Sequence, residues 1–133
     1  MEVRALVSFD SFVISGDSPI YLQIIRYLKR SVVAGAVADG EEMPSRRVLS
    51  ALLGVNPNTI QKAYRMLEEE ALIQSHAGAK SYMVLSPQRV EAIRRQLLRE
   101  EAMGLIAAMR QMGVEKEEAL SLMEELWEGG TAE

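Results

Sequence analysis

A chain of 133 residues has room for one domain, or one domain with an appendage, which excludes an enzyme built from separate cofactor and substrate domains. With 48% hydrophobic and 26% charged residues it can form a core without staples, and the absence of cysteine beside a single histidine, His76, excludes disulfides, thiolate nucleophiles and multi-histidine metal sites, so neither metal nor cofactor is expected. The net charge of -4 is unevenly spread: residues 1–86 carry nine Lys/Arg against nine Asp/Glu, residues 87–133 six against ten, and the window from Met43 to Leu67 holds Arg46, Arg47, Lys62 and Arg65 with no acid at all.

The N-terminus, Glu2 to Ile14, alternates roughly at Val3, Ala5, Val7 and Phe9 and reads as an extended arm or edge strand. It lacks the basic head and long apolar run of a secretory signal, and no apolar stretch approaches the ~20 residues that span a bilayer, so a cytoplasmic protein without a membrane partner is expected. Ser18-Pro19 marks a helix start, with Ser18 as N-cap. The helix is expected to run to about Ala34 on an apolar stripe of Ile20, Ile24, Leu28 and Val32, joined by Tyr21, Ile25 and Val33, with Arg26, Lys29 and Arg30 off it and Gly35 closing it. Ser45 caps a second helix whose Val48, Leu49, Leu52 and Leu53 are expected to face inward, and Gly54 ends it. Asn56-Pro57 starts a third helix after a very short turn, with Ile60, Ala63, Tyr64, Leu67 and Ala71 on its inner face and Asn58, Gln61, Lys62 and Arg65 outside.

Leu72 to Gln74 and Ser81 to Val84 are short β-like runs around a tip, His76 to Lys80, which reads as a wing. Ser86-Pro87 opens a long helix to about Met112, and after a break at Gly113 a last helix covers about Glu115 to Trp127. The predicted fold is therefore mainly α (α+β), a winged helix-turn-helix head over residues 1–85, with an arm at 1–17, and a two-helix tail over 86–133. The glutamates of the last helix read as a solvated face and the methionines of the tail as packing. His76 reads as a loop histidine, with DNA contact or proton sensing as the sharper alternatives.

In a DNA-binding helix-turn-helix the second helix enters the major groove and presents its N-terminal residues to base edges. Asn and Gln amides match the edge of adenine, while Arg and Lys donate to guanine or to phosphate. Asn58, Thr59, Gln61 and Lys62 sit early enough to reach bases; Arg46 and Arg47 suit the phosphate backbone. Arg65 reads as a phosphate contact or a solvated cation, and Arg46 has Glu41 or Glu42 as alternative partners.

The string Pro44-Ser45-Arg46-Arg47-x-Leu49-x-x-Leu52-x-Gly54-Val55-Asn56-Pro57-Asn58-Thr59-Ile60, followed by Ala63-Tyr64-x-x-Leu67-Glu68-x-Glu70-x-Leu72-Ile73, resembles the head of the GntR family of bacterial transcription regulators. Pro19-Ile20-Tyr21-x-Gln23-Ile24 resembles that family's first helix, so the likeness spans about residues 18 to 85, and the short helical tail is similar to the YtrA-like branch. The resemblance implies DNA contacts from Arg47, Asn56, Asn58, Thr59, Gln61, Lys62 and Gly78, with Lys80 placed for the minor groove. Many members carry arginine where this chain has Pro57 and Gln61, and the wing reads Gly78-Ala79-Lys80-Ser81-Tyr82 with its charge moved by one position, so base preference does not carry over. Another branch joins this head to an aminotransferase-like domain binding pyridoxal phosphate; so short a tail cannot form one, and no enzyme is expected.

The tail presents more apolar surface than two helices can hide from each other, with Ile93, Leu97, Leu105, Met109, Leu122, Met123, Leu126 and Trp127 among its apolar positions. A homodimer is the expected partner, the alternative being a tail packed wholly against the head, and two-fold symmetry predicts an inverted-repeat operator in double-stranded DNA; repression is the output that the family resemblance implies. An effector of unknown identity, if one binds, is expected between tail and head or at the dimer interface. The alternative is a winged-helix module that binds protein without sequence-specific DNA binding.

Overall fold

The computed structural model describes residues 6–76 and 80–129. The chain runs α1 (Ile20–Val33), α2 (Arg46–Leu53), α3 (Pro57–Glu69), β1 (Ile73–Ser75), β2 (Ser81–Met83), α4 (Pro87–Gln111) and α5 (Lys116–Gly129). It divides into two compact units, Met1–Arg94 and Arg95–Glu133, with the division inside α4. No helix is long and apolar enough to cross a membrane among the described residues.

In the first unit α3 packs against both α1 and α2. Ile24 and Leu28 of α1, Leu49 of α2, and Ile60, Ala63, Tyr64 and Leu67 of α3 are all completely buried. Burying each large aliphatic side chain of this set is worth roughly 1.5–3 kcal/mol, so these i, i+3, i+4 stripes hold the three helices together. The wing pairs β1 with β2 antiparallel, Ile73 opposite Met83 and Gln74 opposite Tyr82. Bridges from Tyr82 to Glu42, and from Glu42 to Leu6, extend that pairing to the N-terminal arm. The arm thus touches the sheet edge through one isolated bridge rather than a strand, and it buries Val7 and Phe9. Phe9, Phe12 and Tyr27 form an aromatic cluster with ring centroids 5.2–6.3 Å apart. The expected arm positions Glu2, Val3 and Ala5 lie outside the described residues.

Several local expectations are corrected. Ser18 does not cap α1: Pro19 is the N-cap, its carbonyl accepting from the amides of Leu22 and Gln23. The Gln23 side chain turns back instead to Ser18 O at 2.6 Å and to the backbone of Ser15. Lys29, read as lying off the stripe, is buried, with its Nζ 2.9 Å from Glu70 Oε1. On α2 only Leu49 is fully buried, while Val48 and Leu52 are more than half exposed, because an eight-residue helix lying on one neighbour covers a single line of side chains. Ala71 is not on the inner face of α3. The helix ends at Glu69, and Ala71 takes a left-handed φ of 61°, closing a cap in which Ala71 N donates to Glu68 O and Leu72 N to Leu67 O. Glycine fills the same left-handed position after α4, at Gly113.

In the second unit, covering the rest of α4 and α5, most large apolar side chains stay open. Leu105, Leu122 and Met123 are each about 40% exposed, Leu126 is 55% and Trp127 82% exposed. Leu105, Ile106, Met109, Val114, Leu120 and Met123 line an apolar groove of about 460 Å³. Ile93 differs from these, being buried within the first unit, and Leu97 is half-buried.

Candidate nucleic-acid interface

The interface begins with the turn between α2 and α3. Ser45 caps α2, its Oγ accepting from Val48 N at 3.1 Å. At the other end Gly54 takes φ 67°, ψ 37°, a left-handed conformation in which a Cβ would crowd the following carbonyl. Val55 N donates to Ser50 O, Ser50 Oγ donates to Val55 O at 2.6 Å, and Val55 is buried. The chain therefore enters α3 after only Gly54, Val55 and Asn56. Asn56 caps α3 through Oδ1, which accepts from Asn58 N at 2.8 Å, and Pro57 supplies a preset first turn. One lone pair of the capping oxygen is thus engaged, and the Asn56 amide NH2 stays available to face outward.

On the outer face of α3, Asn58, Gln61, Lys62 and Arg65 are exposed and Thr59 is half-buried. The amides and cations expected to meet DNA share one solvent-facing side, opposite the buried Ile60, Ala63, Tyr64 and Leu67. Lys62 is not free in solvent: its Nζ sits 4.1 Å from the centroid of the Tyr21 ring. Arg47 is exposed at the start of α2, next to the helix N-terminus.

Arg46 is placed differently. Its guanidinium lies 4.8 Å over the Tyr64 ring, Nη2 is 3.5 Å from Glu68 Oε2, and Nε is buried without a hydrogen-bond partner among the described residues. Glu68, just outside the acid-free window, is its partner in place of Glu41 or Glu42 and also accepts from Ser75 Oγ. Tyr64 Oη donates to Pro44 O at 2.6 Å, fixing the residue before the α2 cap onto α3. Burial pushes the Tyr64 phenol well above its ordinary value of 10, with the nearby Arg46 charge opposing the shift.

At the wing, His76 N donates to Lys80 O at 2.7 Å, and the His76 ring meets the Tyr82 ring edge-on at 5.1 Å. Lys80 is exposed, its Nζ 3.9 Å from Glu42 Oε2. Gly78, at the expected tip, lies outside the described residues. Two residues to which the sequence reading gave no part in the interface, Tyr21 and Glu68, belong to this surface. Each lies far in sequence from the cation it holds, so spacing within the helix-turn-helix carries no sign of either. Among the described residues no group of acidic and histidine side chains could hold a metal ion.

Comparison with known proteins agrees with this architecture. Residues 20–82 match the family described as bacterial regulatory proteins, gntR family. The chain is 31% identical over 114 residues to YhcF of Bacillus subtilis, an uncharacterized HTH-type transcriptional regulator, covering 86% of this chain and 94% of that one. It is 39% identical over 67 residues to the HTH-type transcriptional repressor YtrA of the same organism, about half of each chain. A solved GntR family transcriptional regulator from Listeria monocytogenes superposes with a TM-score of 0.74 at 30% identity, over 84% of this chain and 98% of that one. With the capped helix-turn-helix, the wing and the C-terminal helices in place, the chain belongs to the GntR family, whose members are transcriptional regulators with a DNA-binding helix-turn-helix and not enzymes.

Proposed function

We propose that this protein is a homodimeric repressor that binds an inverted-repeat operator, reading bases with α3 and holding the backbone with α2 and the wing. The single observation that carries the reading is the outer face of α3, where Asn58, Gln61, Lys62 and Arg65 are exposed together directly after a capped three-residue turn. Asn58 and Gln61 offer paired donor and acceptor groups for a base edge, and Thr59 stands beside them. Arg47, Arg65 and Lys80 supply charge for phosphates, together with the Asn56 amide at the helix start and the backbone of Gly78. Arg46, held on Tyr64 and Glu68, braces α2 against α3 and shapes the local field.

The open apolar side chains of α4 and α5 support the dimer. Leu105, Met109, Leu122, Met123, Leu126 and Trp127, flanked by Leu97, form a surface that a second copy covers most simply. Two-fold symmetry then repeats the half-site in inverted orientation, with recognition helices ~34 Å apart or a multiple of it. Repression is supported by the relative YtrA, an HTH-type transcriptional repressor.

The test is selection of bound fragments from a random DNA pool, followed by titration of the winning sequence at two salt concentrations. An enriched inverted repeat, bound by two chains and weakened on the order of tenfold or more by a few-fold rise in salt, is expected. No enrichment, or binding that salt hardly alters, rejects this function in favour of a protein-binding winged helix.

A further inference from the structure

The readout face of α3 carries two exposed amides and two exposed cations, and one of those cations has a partner on another helix. Lys62 Nζ lies 4.1 Å from the centroid of the Tyr21 ring, within the range at which a ring face attracts an ammonium. Tyr21 stands one turn before Ile24 and Ile25, on the same side of α1, and these two residues are buried in the core. Its ring is therefore half-buried and anchored by the packing of α1, whereas Lys62 is exposed on a flexible stem. Of the two, the ring is the fixed element and the lysine the one that is placed.

This placement separates Lys62 from its neighbours. Asn58 and Gln61 have no hydrogen bond from their side chains among the described residues and face solvent from the first turns of α3. Lys62 is drawn sideways, toward the start of α1. An ammonium resting on a ring face keeps N–H donors directed away from the ring, so it can still take a phosphate oxygen.

We propose that Tyr21 is a positioning residue of the DNA interface: its ring holds the Lys62 ammonium at the α1 edge of the recognition helix, so that Lys62 meets the phosphate backbone and base reading falls to Asn58 and Gln61. The assignment rests on the reading that α3 lies in the major groove. It makes part of the affinity depend on a residue outside the helix-turn-helix, and it makes the sequence preference depend on keeping a lysine away from the bases.

The experiment uses the full chain and its selected operator, comparing wild type with Tyr21→Phe, Tyr21→Leu, Lys62→Ala and the Tyr21→Leu/Lys62→Ala double variant. Affinity is measured across a salt series, and base preference by repeating the selection with each protein. Tyr21→Phe keeps the ring and is expected to bind like wild type. Tyr21→Leu should weaken binding about two- to five-fold for each copy bound and add a new base preference at one position of each half-site, as the released lysine reaches the groove. Lys62→Ala should leave the preferred sequence unchanged and lower the log–log salt slope by about 0.9 for each copy, and Tyr21→Leu should cost nothing further in its background.

A changed preferred sequence in Lys62→Ala, or an undiminished cost of Tyr21→Leu when Lys62 is absent, overturns the proposal. So does a loss in Tyr21→Phe as large as in Tyr21→Leu, which would assign the effect to the hydroxyl. If Tyr21→Leu fails to fold, Lys62→Ala and Tyr21→Phe still decide it. Failure of the wild type to bind any operator sinks the major-groove reading itself, a result distinct from all of these.

Discussion

Tyr64→Phe removes one oxygen from the centre of the head and tests whether the junction of α2 and α3 is held as described. The hydroxyl is fully buried and donates to Pro44 O at 2.6 Å, so its loss takes away a hydrogen bond and leaves a half-buried carbonyl without that donor. A neutral bond is worth about 0.5–1.5 kcal/mol net, and an orphaned acceptor adds to the loss, which together give about 1–2 kcal/mol. The burial of the ring, and the Arg46 guanidinium over its face, are retained. Urea unfolding followed by circular dichroism at one protein concentration should show a midpoint lower by roughly 0.5–1 M with an unchanged slope, for a slope near 2 kcal/mol/M. The alkaline limb gives an independent check. Because burial raises the folded pKa of Tyr64 above its ordinary 10, the folded state holds a proton that the unfolded state releases as pH passes 10. The stability this tyrosine contributes is therefore complete below pH 10 and declines above it, by up to about 1.4 kcal/mol per pH unit. Phenylalanine has no proton to lose, so the gap between variant and wild type should narrow, then reverse, as pH rises above 10. An unchanged urea midpoint, or a gap that stays constant between pH 8 and pH 11, refutes both the bond and the burial.

Ala71→Gly should raise stability by about 0.5–1 kcal/mol in thermal unfolding, since it relieves a left-handed alanine in a helix cap, and Gly54→Ala, in the same kind of conformation with open space around it, should lower stability by about 1 kcal/mol. Arg47→Ala should weaken all DNA sequences about equally in a competition assay, whereas Asn58→Ala and Gln61→Ala should each cost roughly 1–3 kcal/mol at one base pair of each half-site. Trp127 is the chain's one tryptophan and is 82% exposed on a single copy. Its fluorescence should shift to longer wavelength on dilution if a second copy covers α5, and an emission maximum independent of concentration would remove it from the dimer interface.

Much of the candidate site was legible because it is built from local chemistry. Ser45, Gly54, Asn56 and Pro57 act on backbone groups within a few residues of themselves, so their spacing alone locates the turn and the start of α3. The amides and cations of α3 fall opposite its apolar stripe by helical period, and that stripe is buried as expected at Ile60, Ala63, Tyr64 and Leu67. Periodicity failed where it had to judge coverage. Val48 and Leu52 are apolar and spaced for a core but stay more than half exposed, while Lys29 is cationic and yet enclosed because Glu70 is there to pair with it. Ala71 continued the pattern of α3 in sequence only, since the chain had already turned out of the helix at Glu70.

The sequence by itself therefore determined the order of the elements, the helix-turn-helix and the residue types on its outer face. These depend on backbone hydrogen bonds and side-chain spacing over one to three helical turns. Only the tertiary structure decided what each charge does. Arg46 is committed to Glu68, 22 residues away, and Lys62 to Tyr21 on another helix, while Arg47 and Arg65 remain open to solvent. A helical period tells which side chains share a face, but the partner facing them is set by how α1, α2 and α3 pack together, and that packing brings together residues whose separation along the chain carries no local signal.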